Sequence, residues 1–329
     1  MENDEKMLDE CRVLLQNCKN EAQKRLVGQE NIIEGILTAF VAGGHILLEG
    51  GPGLAKTLAI KTFSEISGLD FKRIQFTPDL LPADVTGTLI YEQNKGSFSV
   101  RKGPVFANIV LADEINRSPA KVQSAMLQAM EEKCVTLGDE TYKLPEPFFV
   151  LATQNPIEQE GTYNLPEAEL DRFLIKVNVD YPSIQDEVKI IQSMGNAEKI
   201  PVQKILNESS IKMLRSSVEK IVCDQKIAEY IAKIISVTRP SQKKSASHAE
   251  YDITRYISYG ASPRAGIAMI LCAKVQALFA GRSFVLPEDV KKIASQVLRH
   301  RLVLSYEAFA DEITADEIIS KILDYIPLP

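Results

Sequence analysis

The sequence predicts an α/β domain, a parallel sheet flanked by helices, followed by an all-α domain, and three observations carry that reading. The first is His45 to Thr57, HILLEGGPGLAKT, where a short apolar run breaks into a glycine-rich turn ending in Lys-Thr. The second is Asn108-Ile109-Val110-Leu111-Ala112-Asp113-Glu114, a run suited to a central parallel strand, apolar on both faces and ending in two adjacent carboxylates. The third is a change of period: beyond Pro182 the apolar residues recur at helical spacing almost throughout, with no convincing strand. At 329 residues the chain is expected to divide into residues 1–182 and 183–329.

Residues 4–24 read as an amphipathic helix and Asn31 to Ala42 as a second one leading into the first strand, Ile46-Leu47-Leu48. Gly50, Gly51 and Gly53 then let backbone N–H groups curl around an anion, and a helix from Lys56 to Ser67 turns its positive end on the same point. In such a phosphate-binding loop Lys56 neutralises β- and γ-phosphate charge and the Thr57 hydroxyl ligates magnesium. The candidate nucleotide-binding set is Gly50, Gly51, Pro52, Gly53, Leu54, Ala55, Lys56, Thr57 and Leu58. The strict pattern has glycine before the lysine, where this chain has Ala55. A left-handed L-residue costs about 1–2 kcal/mol, so alanine fits if position 55 already lies in the first helical turn and Gly53 takes the unusual angles. An ordinary glycine-rich strand-to-helix turn is the alternative.

A strand near Phe71 to Phe76 completes a β-α-β order, which requires a parallel sheet with right-handed crossovers. Residues 88–101, TLIYEQNKGSFSVR, alternate around Asn94-Lys95-Gly96 and read as a projecting hairpin; Cys134 to Lys143, around Leu137-Gly138-Asp139, read as another. The 108–114 strand delivers Asp113 beside the phosphate loop, where it can hold magnesium through water, and Glu114, which can polarise the attacking water as general base. The competing reading is an Asp-Glu pair capping the helix that opens at Ser118-Pro119. The next strand, Phe148 to Ala152, ends at Thr153-Gln154-Asn155.

In the second half, helices are expected near 184–195, 207–220, 224–237, 263–280, 287–300 and 314–325. Thr314 with Glu317 makes a capping box, and Ser262-Pro263 and Leu286-Pro287 mark two further starts. Residues 239–252, RPSQKKSASHAEYD, read as a polar surface loop. Arg264 falls in a first helical turn, where a cation opposes the helix dipole by about 0.3–1 kcal/mol. That placement suggests an external anion such as a γ-phosphate; a solvated side chain is the other reading.

The net charge of −6 argues against a surface built to bind nucleic acid by counterion release. Cys11, Cys18, Cys134, Cys223 and Cys272 are scattered and lack a CxxC pair, so neither a disulfide framework nor a zinc knuckle is expected. His45, His248 and His300 lie far apart without a carboxylate or thiol at ligand spacing. The charged start MENDEKMLDECR is unlike a signal peptide, and the apolar run from Ile36 to Leu48 is short and interrupted by Gly43, Gly44 and His45. A cytoplasmic protein without membrane insertion is expected.

The segments LLEGGPGLAKT, FTPDLLPADVTG, RKGPVFANIVLADEINRSPAKVQSAMLQAMEE, LATQNPIEQEGTYNLPEAELDRF and GASPRAG together resemble the MoxR family of AAA+ ATPases over nearly the whole chain. Ala55 resembles that family's own variant of the loop. The two hairpins resemble the helix-2 insert and pre-sensor insert of the AAA+ branch that also holds magnesium-chelatase motor subunits and MCM-type helicases. The resemblance implies a P-loop NTPase core with a helical lid, and roles that spacing leaves ambiguous. Asn155 corresponds to sensor 1; Arg172, in Leu170-Asp171-Arg172-Phe173, to the arginine finger of a neighbouring subunit's site; Arg264 to sensor 2. Val27 and Gly28, in LVGQE, resemble the segment along the adenine. The resemblance further implies ATP and Mg2+ as ligands, a hexameric ring, and chaperone-like remodelling of partner complexes, often with von Willebrand factor A-domain proteins. A nucleic-acid motor of the same branch and a nucleotide-gated scaffold with little turnover are the alternatives.

Overall fold

The computed structural model describes residues 2–156, 162–163, 165–193, 195–240 and 253–329. Packing divides them into two compact units: one takes the described residues of Gln16–Phe173 and Val177–Ile211, the other those of Met1–Leu15, Leu174–Lys176 and Lys212–Pro329. Of the polar loop expected at 239–252, residues 241–252 lie outside the described residues, and His248 with them.

In chain order the elements are α1 (Glu2–Gln23), α2 (Glu30–Val41), β1 (Ile46–Glu49), α3 (Lys56–Ser67), β2 (Phe71–Gln75), α4 (Pro82–Thr86), β3 (Gly87–Glu92), β4 (Ser97–Lys102) and β5 (Ile109–Asp113). There follow α5 (Ala120–Glu132), β6 (Cys134–Leu137), β7 (Glu140–Lys143), β8 (Phe149–Gln154), α6 (Glu167–Leu170), β9 (Ile175–Asn178) and α7 (Ile184–Gln192). The sheet order is β2-β5-β8-β1-β9, and β2–β5, β5–β8 and β8–β1 all pair in parallel. Strands β5 and β8 are central, and Ile109 to Ala112 and Phe149 to Ala152 are fully buried, as a sheet covered on both faces requires. Phe40 of α2, Phe63 of α3 and Phe149 pack edge to face, with centroids 4.9 and 5.5 Å from Phe40. This cluster fixes α3 against the sheet, and so fixes the turn that precedes it.

Both expected hairpins form. In the first, Tyr91 stands opposite Phe98 with ring centroids 5.2 Å apart. In the second, Gly138 at φ +64° turns the chain, and a Cβ there would meet the Leu89 side chain of the first hairpin at 2.6 Å. Lys102 lies over the rings of Phe106 and Tyr142, 5.0 and 5.3 Å away, a second tie between the inserts.

The other unit contains α8 (Glu208–Lys220) from Lys212 onward, α9 (Gln225–Val237), β10 (Ile257–Tyr259), α10 (Pro263–Phe279), α11 (Pro287–Leu298), β11 (Val303–Leu304), α12 (Tyr306–Ala310) and α13 (Ala315–Tyr325). Ile231, Ile234, Met269, Cys272, Val290, Ile293, Ile318 and Ile322 form its buried side. The capping box at Thr314 is present: Thr314 N donates to Glu317 Oε2 at 2.8 Å, and Glu317 N donates to Thr314 Oγ1 at 3.2 Å. The expectation of no strand beyond Pro182 needs correction, because β10 and β11 pair antiparallel. Strands of three and two residues are too short to display the alternation by which a strand is read.

The cysteines are free thiols, and burial pushes Cys18 and Cys272 up to about 12, which keeps both protonated and unreactive. His45 is structural: its Nε2 lies 3.2 Å from Met130 O, and its Nδ1 accepts from Val150 N at 3.1 Å. No helix among the described residues is long and apolar enough to cross a membrane.

Candidate nucleotide site

At the C-terminal ends of β1, β5 and β8 lies a cleft of about 400 Å³, a volume suited to a small ligand. Residues Pro52 to Leu58 line one side, and Arg73, Asp113, Glu114, Thr153 and Asn155 line the other. The location is the one expected of a ligand site in an open α/β sheet.

The loop side is built on close approach. A Cβ on Gly50 would stand 2.7 Å from Val179 O, so only glycine lets the strand end pass there. Gly53, at φ +78°, has open space where its Cβ would be, leaving backbone to face the cleft. Ala55 is not in the first helical turn: it sits at φ 56°, ψ 15°, left-handed, immediately before α3. Alanine therefore carries strain of about 1–2 kcal/mol, held by the elements on either side of the loop. Gly53 does adopt the unusual angles expected of it. Lys56 Nζ donates to Gly50 O and, at 3.4 Å, to Gln154 O, so two strand ends position it.

The strand side is charge-paired. Asp113, buried at the end of β5, accepts from Thr153 Oγ1 at 2.7 Å on Oδ1. Its Oδ2 accepts from Arg73 Nε at 3.0 Å and Nη2 at 2.7 Å. Glu114 sits at φ 57°, ψ 49°, another left-handed non-glycine residue. Its backbone N donates to Thr153 Oγ1 at 2.8 Å, and its Oε2 accepts from Gln75 Nε2 and Arg117 Nη1, each at 2.9 Å. One hydroxyl thus ties together the two consecutive acidic residues. The pair does not cap α5, whose first turn follows Pro119, so the capping reading fails. Asn155, also buried, has its backbone O 3.5 Å from Asn116 Nδ2.

Six candidates are not among the cleft-lining residues: Gly50 and Gly51 at the start of the loop, and Val27, Gly28, Arg172 and Arg264. Val27 and Gly28 lie between α1 and α2; Gly28 has φ +69°, and a Cβ there would meet Asp186 Oδ2 at 2.9 Å. Arg172 follows α6 and donates through Nε to Glu131 Oε2 at 2.8 Å. Arg264 belongs to the helical unit, exposed in the first turn of α10, with its backbone N donating to Ser262 Oγ at 3.2 Å.

Residues 45–175 match the family model described as ATPase family associated with various cellular activities (AAA), and residues 249–322 match that of the AAA lid domain. The chain is 45% identical over 309 residues to Chaperone MoxR1 of Mycobacterium tuberculosis, covering 94% of this chain and 81% of that protein. The chain belongs to the MoxR family of AAA+ ATPases. Another relative, the uncharacterized protein YeaC of Bacillus subtilis, is 40% identical over 96% of this chain and 95% of its own. A crystal structure from Cytophaga hutchinsonii, provisionally assigned as an ATPase, superposes with a TM-score of 0.89 at 45% identity, covering 100% of this chain and 98% of that one.

Sequence reasoning missed Arg73, Gln75, Arg117 and Thr153 in this MoxR-family chain. A signal existed for Arg73. A sheet covered on both faces calls for apolar strands, and Lys72-Arg73 inside β2 departs from that. Thr153 was visible only as the residue ending a strand; its neighbour Asp113 lies 40 positions away, and only strand register unites them.

Proposed function

We propose that the chain is a Mg2+-dependent ATP-hydrolysing AAA+ motor that works as a ring, with residues 1–182 as nucleotide-binding core and 183–329 as helical lid. What supports this reading is a single cleft lined both by the 52–58 turn and by Asp113, Glu114 and Asn155. The donor set suits magnesium: Thr57 offers a hydroxyl and Asp113 a carboxylate, both hard oxygens, with room left for phosphate and water. Held by these two, the ion supplies neutralising charge at the phosphate oxygens.

The chain's own groups do the rest. Backbone N–H groups of residues 53–57, at the N-terminus of α3, bind phosphate, and Lys56 balances its charge. Glu114 takes the proton of the water that attacks the γ-phosphorus as the bond to the bridging oxygen breaks, a step worth about 10²–10⁴-fold. Asn155 orients that water. Arg172 is assigned as the finger reaching a neighbouring subunit's site, worth about 10³–10⁵-fold, and Arg264 as the sensor 2 arginine. Val27 and Gly28 are assigned to the adenine. A head-to-tail contact repeated by rotation closes a ring, here a hexamer. The printed name of the tuberculosis relative, a chaperone, supports remodelling of partner protein complexes, and von Willebrand factor A-domain proteins are the proposed adaptors. The proposed location is the cytoplasm.

The experiment is ATP hydrolysis per subunit over a wide range of protein concentration, with Mg2+ present and Glu114→Gln as blank. A rate per subunit that climbs with concentration is expected. A flat rate equal to the blank would count against an assembly-dependent motor.

A further inference from the structure

Lys56 and Arg73 are the two cations among the described residues lining the cleft, and no role follows for Arg73 from the loop or the paired carboxylates. Resting on the nucleotide reading above, we propose that Arg73 is a positioning residue that competes with the divalent cation for Asp113.

Both oxygens of Asp113 are engaged, but by unlike partners. Oδ1 accepts from the neutral Thr153 hydroxyl, and Oδ2 accepts two N–H groups of a full cation. Arg73 reaches only Oδ2, with Thr153 on Oδ1, so the pair is not the two-pronged fork in which each carboxylate oxygen meets its own N–H, the geometry that makes arginine pairs strong. It crowds both donors onto one oxygen instead. The two side chains also differ in freedom: that of Asp113 is 10% exposed and that of Arg73 is 47% exposed. Arg73 stands on β2, the outermost strand, and its other contact is Nη2 to Gln75 Oε1 at 2.5 Å, a neighbour two residues along the same strand. Such a guanidinium can swing into water at small cost, whereas the buried carboxylate needs a positive partner at all times.

An ion that Asp113 ligates at Oδ2, directly or through water, takes the lone pairs that Arg73 occupies, so one cation exchanges for another there. Two consequences follow. Asp113 stays charge-paired whether or not the ion is bound, and the apparent affinity for the ion is reduced by the cost of dislodging Arg73. The released guanidinium, still on the cleft wall, is free to face phosphate.

The direction of the predicted effect separates this role from others. Removing an ordinary contact of a metal site weakens metal binding; removing a competitor tightens it. The test is Mn2+ binding to the full chain at saturating ADP, read from the free-ion electron paramagnetic resonance signal, in wild type, Arg73→Gln and Arg73→Lys. The Mn2+ midpoint of Arg73→Gln is expected about fivefold below wild type, the factor set by a half-exposed ion pair. Arg73→Lys, which keeps the charge but donates from a single nitrogen, is expected in between. An unchanged or raised midpoint in both folded variants would overturn the proposal. Wild type showing no ADP binding that Lys56→Ala abolishes would overturn the nucleotide reading, and the proposal with it.

Discussion

At the loop end of the cleft, Lys56 is positioned by neutral acceptors, the carbonyls of Gly50 and Gln154, whereas at the strand end Asp113 and Glu114 are positioned by full cations, Arg73 and Arg117. The difference bears on what each end does when a nucleotide arrives. The two carbonyls that hold Lys56 are neutral, so a phosphate meeting its ammonium would take no charge partner from them. At the strand end a cation taking Asp113 Oδ2 would instead replace Arg73. The loop end is therefore suited to binding and the strand end to control of reactivity, a division that mutations can break.

The largest effect is expected from Glu114→Gln, which keeps the shape and the contact with Gln75 but cannot accept a proton. Turnover should fall by about 10²–10⁴-fold while nucleotide affinity is retained, and steady-state ATP hydrolysis beside equilibrium binding checks both. Next comes Thr153→Val. Losing the hydroxyl leaves the buried Asp113 Oδ1 and the Glu114 N–H without their shared partner. Unfolding free energy should drop by about 1–3 kcal/mol in a denaturant titration, with turnover impaired as both acidic groups lose their common tether. The smallest is Ala55→Gly at the loop end. Glycine accepts the left-handed angles that alanine bears under strain, so stability should rise by about 0.5–1 kcal/mol, seen as a higher denaturant midpoint at unchanged slope.

The same two ends differ in how legible they were. The loop end was written locally: an apolar run, glycines at fixed offsets and Lys-Thr suffice, and α3 begins and ends where the periodicity places it, Lys56 to Ser67. Its surprise, the left-handed Ala55, was hidden because alanine's own preference is helical and only the surrounding fold overrides it. At the strand end Asp113 and Glu114 were readable as a pair, but their partners were not. Arg73 and Thr153 come from β2 and β8, each 40 positions from Asp113, and strand order and register decide which side chains meet. The hairpins again were local and were read correctly, while β10 with β11 needed a long-range pairing of strands too short to announce themselves.

The most direct test of the central claim, that binding and reactivity sit at opposite ends of one cleft, is an equilibrium ATP titration with Mg2+ on wild type, Lys56→Ala and Glu114→Gln. The account predicts that Lys56→Ala loses affinity by about 10-fold or more, the worth of a charge-assisted contact, while Glu114→Gln binds as wild type does. Equal loss of affinity in both variants, or retention in both, would contradict it.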